Sequence, residues 1–165
     1  MRAFIGIRLD EAIDSISLII KDLKLKDKYA NYTSLKNIHI TLEFLGEIDK
    51  DDIPIIEEIF STISRKSFEI LLDGITKLRD MIIIRISEKE ELMVLQADLK
   101  KALKKNNIPI QDRVYFPHVT LARKSSLRVD LDYRKRVKIK EIILFSSRRI
   151  NDNLVYTPIL TKKLI

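Results

Sequence analysis

Cysteine and tryptophan are absent from this 165-residue chain, and glycine (3) and proline (4) are scarce. Without cysteine there is no disulfide scaffold, no thiolate nucleophile and no Cys-ligated zinc. Few glycines and prolines, alongside 45% hydrophobic and 33% charged residues, exclude collagen-like, low-complexity and disordered chains. No apolar run approaches the roughly 18 residues of a membrane span, and residues 1–8 enter a strand pattern without a signal-peptide shape. The expectation is therefore a cytoplasmic protein with no membrane partner. The length sits near the ~150-residue prior for one domain, and a compact two-lobed body of that size is equally compatible with it. Histidine is scarcer still: the chain has only His39 and His118.

What the chain has in excess is positive charge, a formal +7. An evenly spread excess mainly affects solubility, whereas a clustered one points to a polyanion. Between Arg123 and Arg149 lie ten basic residues and three acidic ones, so this window carries the whole +7 and the remainder is balanced. The segment begins five residues after the second histidine. Lysines and arginines grouped in this way neutralise phosphates and release counterions. A solvated surface is the ordinary reading of a lone charge run, and the neighbouring chemistry has to decide between the two.

Hydrophobic periodicity divides the chain into short elements. Residues 2–8 are apolar and β-branched, a buried strand; Asp10 offers an N-cap for a helix to about Lys24, with Ile13, Ile16, Ile20 and Leu23 on one face. Residues 38–45 alternate as a strand, a helix follows from about Asp52 to Arg65, and 67–73 and 81–86 are strands. Ser87 and Glu90 form a capping box for a helix to about Asn106. Residues 116–121 are a strand, and 138–146 and 154–164 are two antiparallel strands joined by the Asn151-Asp152-Asn153 turn. A repeat organises these elements. Arg2 to His39 and Met81 to His118 span the same 37 residues, and each interval runs strand, helix, loop, strand. The expected architecture is α+β: one bilobal domain over 1–165, with duplicated units at about 2–46 and 81–123. Two antiparallel-rich sheets carry outer helices and face each other across a groove on a pseudo-two-fold axis.

Both histidines precede a threonine by two positions, His39-Ile40-Thr41-Leu42 and His118-Val119-Thr120-Leu121. In a strand, His and Thr then share a face while the aliphatics pack behind them. Seven threonines in 165 residues put one at a given position about 4% of the time, so two matches at equivalent points of a repeat are hard to attribute to chance. One such histidine alone reads as a core or surface residue. Two at symmetric positions, each beside a hydroxyl, read as an acid and a base in one cleft, because an imidazole with a pKa of ~6.5 can serve as either near neutrality. A catalytic metal needs a third ligand, and neither motif offers a carboxylate at a suitable offset; Glu43 is only the next alternate position, and Ala122 stands at its counterpart. No metal and no cofactor are expected.

These residues resemble the two H-x-T-x motifs of the 2H phosphoesterase superfamily. More narrowly, residues 2–7, 37–47 and 116–123 resemble its RNA 2′,3′-cyclic phosphodiesterase branch, also called 2′-5′ RNA ligase-like. The resemblance implies a bilobal fold and metal-independent opening of a terminal 2′,3′-cyclic phosphate to a 2′-phosphate in RNA end processing. It also implies His39 as proton donor and His118 as acceptor, a point on which the sequence itself is symmetric. Thr41, Thr120 and Arg123 would stabilise charge on the phosphate, and Phe116, Tyr115 and Phe44 are candidate stacking surfaces for RNA bases, although core packing is the ordinary role of each. The partner expected is an RNA end bound by a monomer. The rivals are a phosphodiesterase for small cyclic phosphates or 2′-5′-linked oligonucleotides, with reverse ligation possible, and a non-catalytic RNA-binding protein. Lys77–Asp80 and Asn153 depart from the family pattern without touching the motifs.

Overall fold

Alternating apolar runs become strands and the helical-spaced stripes become helices in a computed structural model that describes residues 1–165. The order is β1 (Arg2–Arg8), α1 (Ile13–Lys26), β2 (Asn31–Tyr32), β3 (His39–Glu47), α2 (Asp52–Thr62), β4 (Phe68–Leu78), β5 (Met81–Ser87), α3 (Glu90–Lys105), β6 (His118–Arg123), β7 (Asp130–Ile139), β8 (Glu141–Ile150) and β9 (Asn153–Lys163). β1 is apolar on both faces because both are covered. Ala3, Ile5 and Ile7 join Ile16, Ile20 and Leu23 of α1 in the main core, while Phe4 packs with Ile143 and Phe145 in a second, smaller cluster on the opposite face.

The strands lie in the order β7-β4-β5-β6-β3-β1-β8-β9, with β2 attached to β6. At the centre, β6 and β3 are joined by the single pair Ile40–Val119. The two antiparallel halves expected from the repeat therefore exist, but they meet at this pair as one continuous nine-stranded sheet. The junction lies one residue beyond each histidine. On either side of it the neighbouring strand is the first strand of its unit, β1 beside β3 and β5 beside β6, both antiparallel.

Several local expectations shift for identifiable reasons. Asp10 opens a 3-10 turn, Asp10–Ala12, and α1 begins only at Ile13 without a side-chain cap. Ser87 does not cap α3; its hydroxyl donates instead to Asp73 Oδ2 at 2.9 Å, and Glu90 and Glu91 supply the acidic first turn that the helix dipole favours. α2 stops at Thr62 because Ile63 is extended. The strand expected at 138–146 is two strands broken at Lys140, and β7 extends back to Asp130 along β4. Between β8 and β9 the turn residues Asn151 and Asp152 have φ of 51° and 65°, so two left-handed-tolerant residues make a tight hairpin without glycine. No helix is long and apolar enough to cross a membrane.

Candidate active site

The pleat of β3 places His39 and Thr41 on one face and buries Ile40 and Leu42 on the other; in β6 the same pleat presents His118 and Thr120 and buries Val119 and Leu121. Both imidazoles are anchored alike. His39 Nδ1–H donates to the carbonyl of Asn37 at 2.6 Å, and His118 Nδ1–H donates to the carbonyl of Phe116 at 2.8 Å, each two residues back. A carbonyl only accepts, so these bonds fix the tautomer and leave Nε2 as the nitrogen free to accept a proton in the neutral form of each ring. On His39 that nitrogen accepts from Thr41 Oγ1 at 2.9 Å. Burial holds the His39 pKa below the usual histidine value; the hydrogen bond to the Asn37 carbonyl opposes this less strongly, and the nearby cationic charge, that of Arg123 included, acts with burial. At neutral pH the resting His39 is therefore an uncharged imidazole with its lone pair at Nε2.

Aromatic rings set the planes of both histidines. Phe4 lies 4.9 Å from His39 at 39°, and Tyr156 meets it edge-on at 5.3 Å and 88°. Phe116 stacks on His118 at 5.6 Å and 26°, has the Lys89 ammonium 5.9 Å from its ring centre, and remains 46% exposed, the most exposed of the predicted stacking residues. Phe44 stacks on Phe4 at 6.0 Å and lies under the Arg2 guanidinium at 5.4 Å, so both of its faces are occupied. Tyr115 corrects the sequence reading: its ring packs against the core and its hydroxyl donates to the Thr41 carbonyl at 2.8 Å, which removes it from base stacking. Burial pushes its phenol pKa up, so it remains a donor.

A cleft of about 610 Å³ is lined by His39, Thr120 and Arg123 together with Arg149, Asn153 and Tyr156. Glu43 does not reach it. Register shifts between β1 and β3 take this residue off the His39–Thr41 face. It is buried, its Oε1 has no hydrogen-bond partner, and burial raises its pKa while Lys100 and Lys104 oppose the rise. No group of three or more histidine and carboxylate side chains converges to a metal-binding arrangement.

The basic segment does not form one face. Arg123 and Arg149 reach the cleft, joined there by Lys36 from outside the segment. Arg134, Arg136 and Lys140 instead face Asp73, Glu88 and Glu11. Sequence reasoning passed over Asn37, Tyr156 and two further arginines. Arg8 pairs with His39 across β1–β3, and Arg85 pairs with His118 across β5–β6, so each histidine has a cross-strand arginine on its own face. Aligning the two units strand by strand, with β1 against β5, would have exposed this pair; a single offset hides it because the two strands of each unit shift by different amounts.

The family model of LigT-like phosphoesterases matches residues 7–79. An RNA 2′,3′-cyclic phosphodiesterase of Aquifex aeolicus (strain VF5) is 30% identical over 135 residues, covering 74% of this chain and 70% of the relative. Among solved structures, a protein of Thermus thermophilus superposes with a TM-score of 0.89 at 19% identity, covering 99% of this chain and 98% of that one. Escherichia coli LigT in complex with 3′-AMP superposes with a TM-score of 0.85 at 22% identity, covering 99% and 97%. With two threonine-backed imidazoles flanking the sheet junction and these likenesses in sequence and fold, the chain belongs to the LigT-like, two-histidine phosphoesterase family.

Proposed function

We propose that the protein opens the 2′,3′-cyclic phosphate at an RNA end to a 2′-phosphate by acid–base catalysis without a metal. The observation that carries this reading is the matched anchoring of the two imidazoles: each Nδ1–H is bonded to the carbonyl two residues back, which commits both Nε2 atoms to proton transfer. The Aquifex relative's name and the 3′-AMP complex of E. coli LigT support a nucleotide phosphoester as substrate class. The reading takes residues 1–165 as one bilobal unit acting on RNA ends, as a monomer, in the cytoplasm.

In the proposed reaction His118 Nε2 takes a proton from water as its oxygen attacks phosphorus. The bond from phosphorus to the ribose 3′-oxygen breaks, and His39 Nε2–H protonates that oxygen, leaving a 3′-hydroxyl and a 2′-phosphate. The Thr41 and Thr120 hydroxyls and the Arg123 guanidinium donate to the non-bridging oxygens, preorganised donors where negative charge develops. The exposed Phe116 ring receives a base once the Lys89 side chain above it moves aside. Resting His39 is neutral, so it must gain its proton when substrate arrives. The anionic cyclic phosphate offsets the positive charge of Arg123 and raises the His39 pKa.

The test is incubation of the protein, in EDTA, with an oligonucleotide ending in a 2′,3′-cyclic phosphate, followed by identification of the product isomer. A 2′-phosphate is expected, and His39→Ala and His118→Ala should each lower kcat by about 10²–10⁴-fold. A 3′-phosphate product, loss of turnover in EDTA, or wild-type turnover in either variant would refute the reading.

A further inference from the structure

The cleft has a second end, and one buried residue couples it to the first. Asn37 is 8% exposed; its main-chain carbonyl accepts from His39 Nδ1–H at 2.6 Å, and its side-chain Nδ2 donates to the carbonyl of Leu154 at 2.8 Å. Leu154 lies at the tip of the β8–β9 hairpin, whose two turn residues are held at positive φ. The hairpin is thus fastened near its tip to the residue that orients His39.

Arg149 stands on this tip, and Lys36 precedes Asn37 on the facing wall; both line the cleft and both are exposed. Neither has a carboxylate partner, and the bond Arg149 makes within the protein is a long one of 3.5 Å to the Asp152 carbonyl. Other cations of the same basic segment are already neutralised, Arg136 at 2.7 Å from Glu88 among them. Between the two ends stands Tyr156, edge-on to His39. Tyr156 pairs with Ser147 of β8, and Arg149, two residues on, pairs with Leu154, so Arg149 lies on the side of Tyr156 nearer the hairpin tip.

We propose that Arg149 and Lys36 form a subsite for the internucleotide phosphate immediately 5′ of the terminal cyclic-phosphate nucleotide, so that the cleft is built for RNA ends of at least two nucleotides. A guanidinium fork matches the two non-bridging oxygens of a phosphodiester, and the Lys36 ammonium adds a second charge opposite the same group. This inference rests on the phosphodiesterase reading, since it identifies the end of the substrate that lies at His39.

The experiment compares kcat/KM for a dinucleotide ending in a 2′,3′-cyclic phosphate with that for a cyclic mononucleotide. Arg149→Gln is expected to lower the dinucleotide-to-mononucleotide ratio about tenfold, the loss of roughly one charge-assisted contact. Replacing the internucleotide phosphate by an uncharged methylphosphonate removes the charge that both cations meet, so it should lower the wild-type ratio as far as the double variant Arg149→Gln/Lys36→Gln does and lower the double variant's ratio no further. An unchanged ratio in Arg149→Gln, or losses from the double variant and the methylphosphonate that multiply, overturns the subsite. Binding of the non-reactive dinucleotide 2′-phosphate, against the mononucleotide 2′-phosphate, separates this from the catalytic reading. Arg149-dependent preference for the dinucleotide in a protein inert toward both cyclic substrates overturns the catalytic reading and leaves the subsite standing. Equal binding of the two by wild type and variant overturns the subsite.

Discussion

Removing one oxygen atom by Tyr115→Phe tests how the two motifs are held in register. The Tyr115 hydroxyl donates to the Thr41 carbonyl at 2.8 Å, and Thr41 Oγ1 holds His39 Nε2 at 2.9 Å. In the other direction along the chain, Phe116 follows Tyr115 and its carbonyl receives His118 Nδ1–H. One phenol therefore ties the lead-in of the second motif to the backbone of the first, beside a sheet junction that is a single residue pair. Phenylalanine fills the same space, so the loss is the hydrogen bond and not the packing. Such a bond contributes about 0.5–1.5 kcal/mol net, rising to ~1–3 kcal/mol if an acceptor is left buried without a partner. At ~1.5 kcal/mol the melting temperature of a protein this size falls by about 3–6 °C. Because the bond fixes His39 relative to His118, a comparable loss should appear in the transition state, about tenfold in kcat. The assay is kcat and KM on a cyclic-phosphate-ended oligonucleotide, alongside calorimetry. The expected signature is a fall in kcat with KM nearly constant, well below Tm. If the melting temperature falls while kcat stays at the wild-type value, Tyr115 only stabilises the fold and the positioning argument is refuted.

Three further outcomes follow from the same geometry. His39, as the proton donor with a depressed pKa, should set the alkaline limb of kcat/KM below the usual 6.5, and that limb should move to higher pH in kcat, where the phosphate anion is present; a limb at the same pH in both profiles would remove His39 from the donor role. Glu43 keeps its proton to higher pH in the folded state than in the unfolded state, so wild-type stability should fall as pH rises from 4.5 through the raised pKa; Glu43→Gln should abolish that slope and raise stability at pH 7–8 by about 1 kcal/mol, measured by urea unfolding at both ends of the range. Gly6→Ala would put a Cβ 2.8 Å from the Ile40 carbonyl oxygen and 3.2 Å from the Phe4 ring, and because the first of these is backbone the strands must separate beneath Thr41, which pairs with Gly6. The cost of such overpacking is about 1–3 kcal/mol, so a melting temperature within ~1 °C of wild type would show that β1 and β3 yield more easily than this geometry allows.

The parts of the site legible in the sequence were those written in strand periodicity. An i, i+2 pair needs only a pleat to share a face, so His39 with Thr41 and His118 with Thr120 could be placed before any fold was known. β7 was hidden because it is an edge strand. Its ten residues carry Asp130, Asp132, Arg134, Lys135, Arg136 and Lys138, and it pairs with β4 alone, so its hydrogen bonds come from a partner strand more than 50 residues away in sequence rather than from an apolar run of its own. Tyr115 was misread for a related reason: an aromatic beside a motif looks the same in sequence whether its ring faces a ligand or its hydroxyl braces a carbonyl.

The charge cluster shows the same limit in electrostatic form. Linear density predicted one phosphate-binding face, but adjacent strands carry successive cations to different neighbours. Arg134 and Arg136 on β7 meet Asp73 of β4 and Glu88 beyond β5. Arg123 and Arg149, at the ends of β6 and β8, meet no carboxylate and turn into the cleft. The field that an RNA end encounters is therefore set by which cations the strands deliver unpaired to the cleft, a property of the fold and not of count. It follows that charge reversal on β7 should change RNA affinity much less than the same change at Arg123 or Arg149, although all of these residues contribute equally to the net charge of +7.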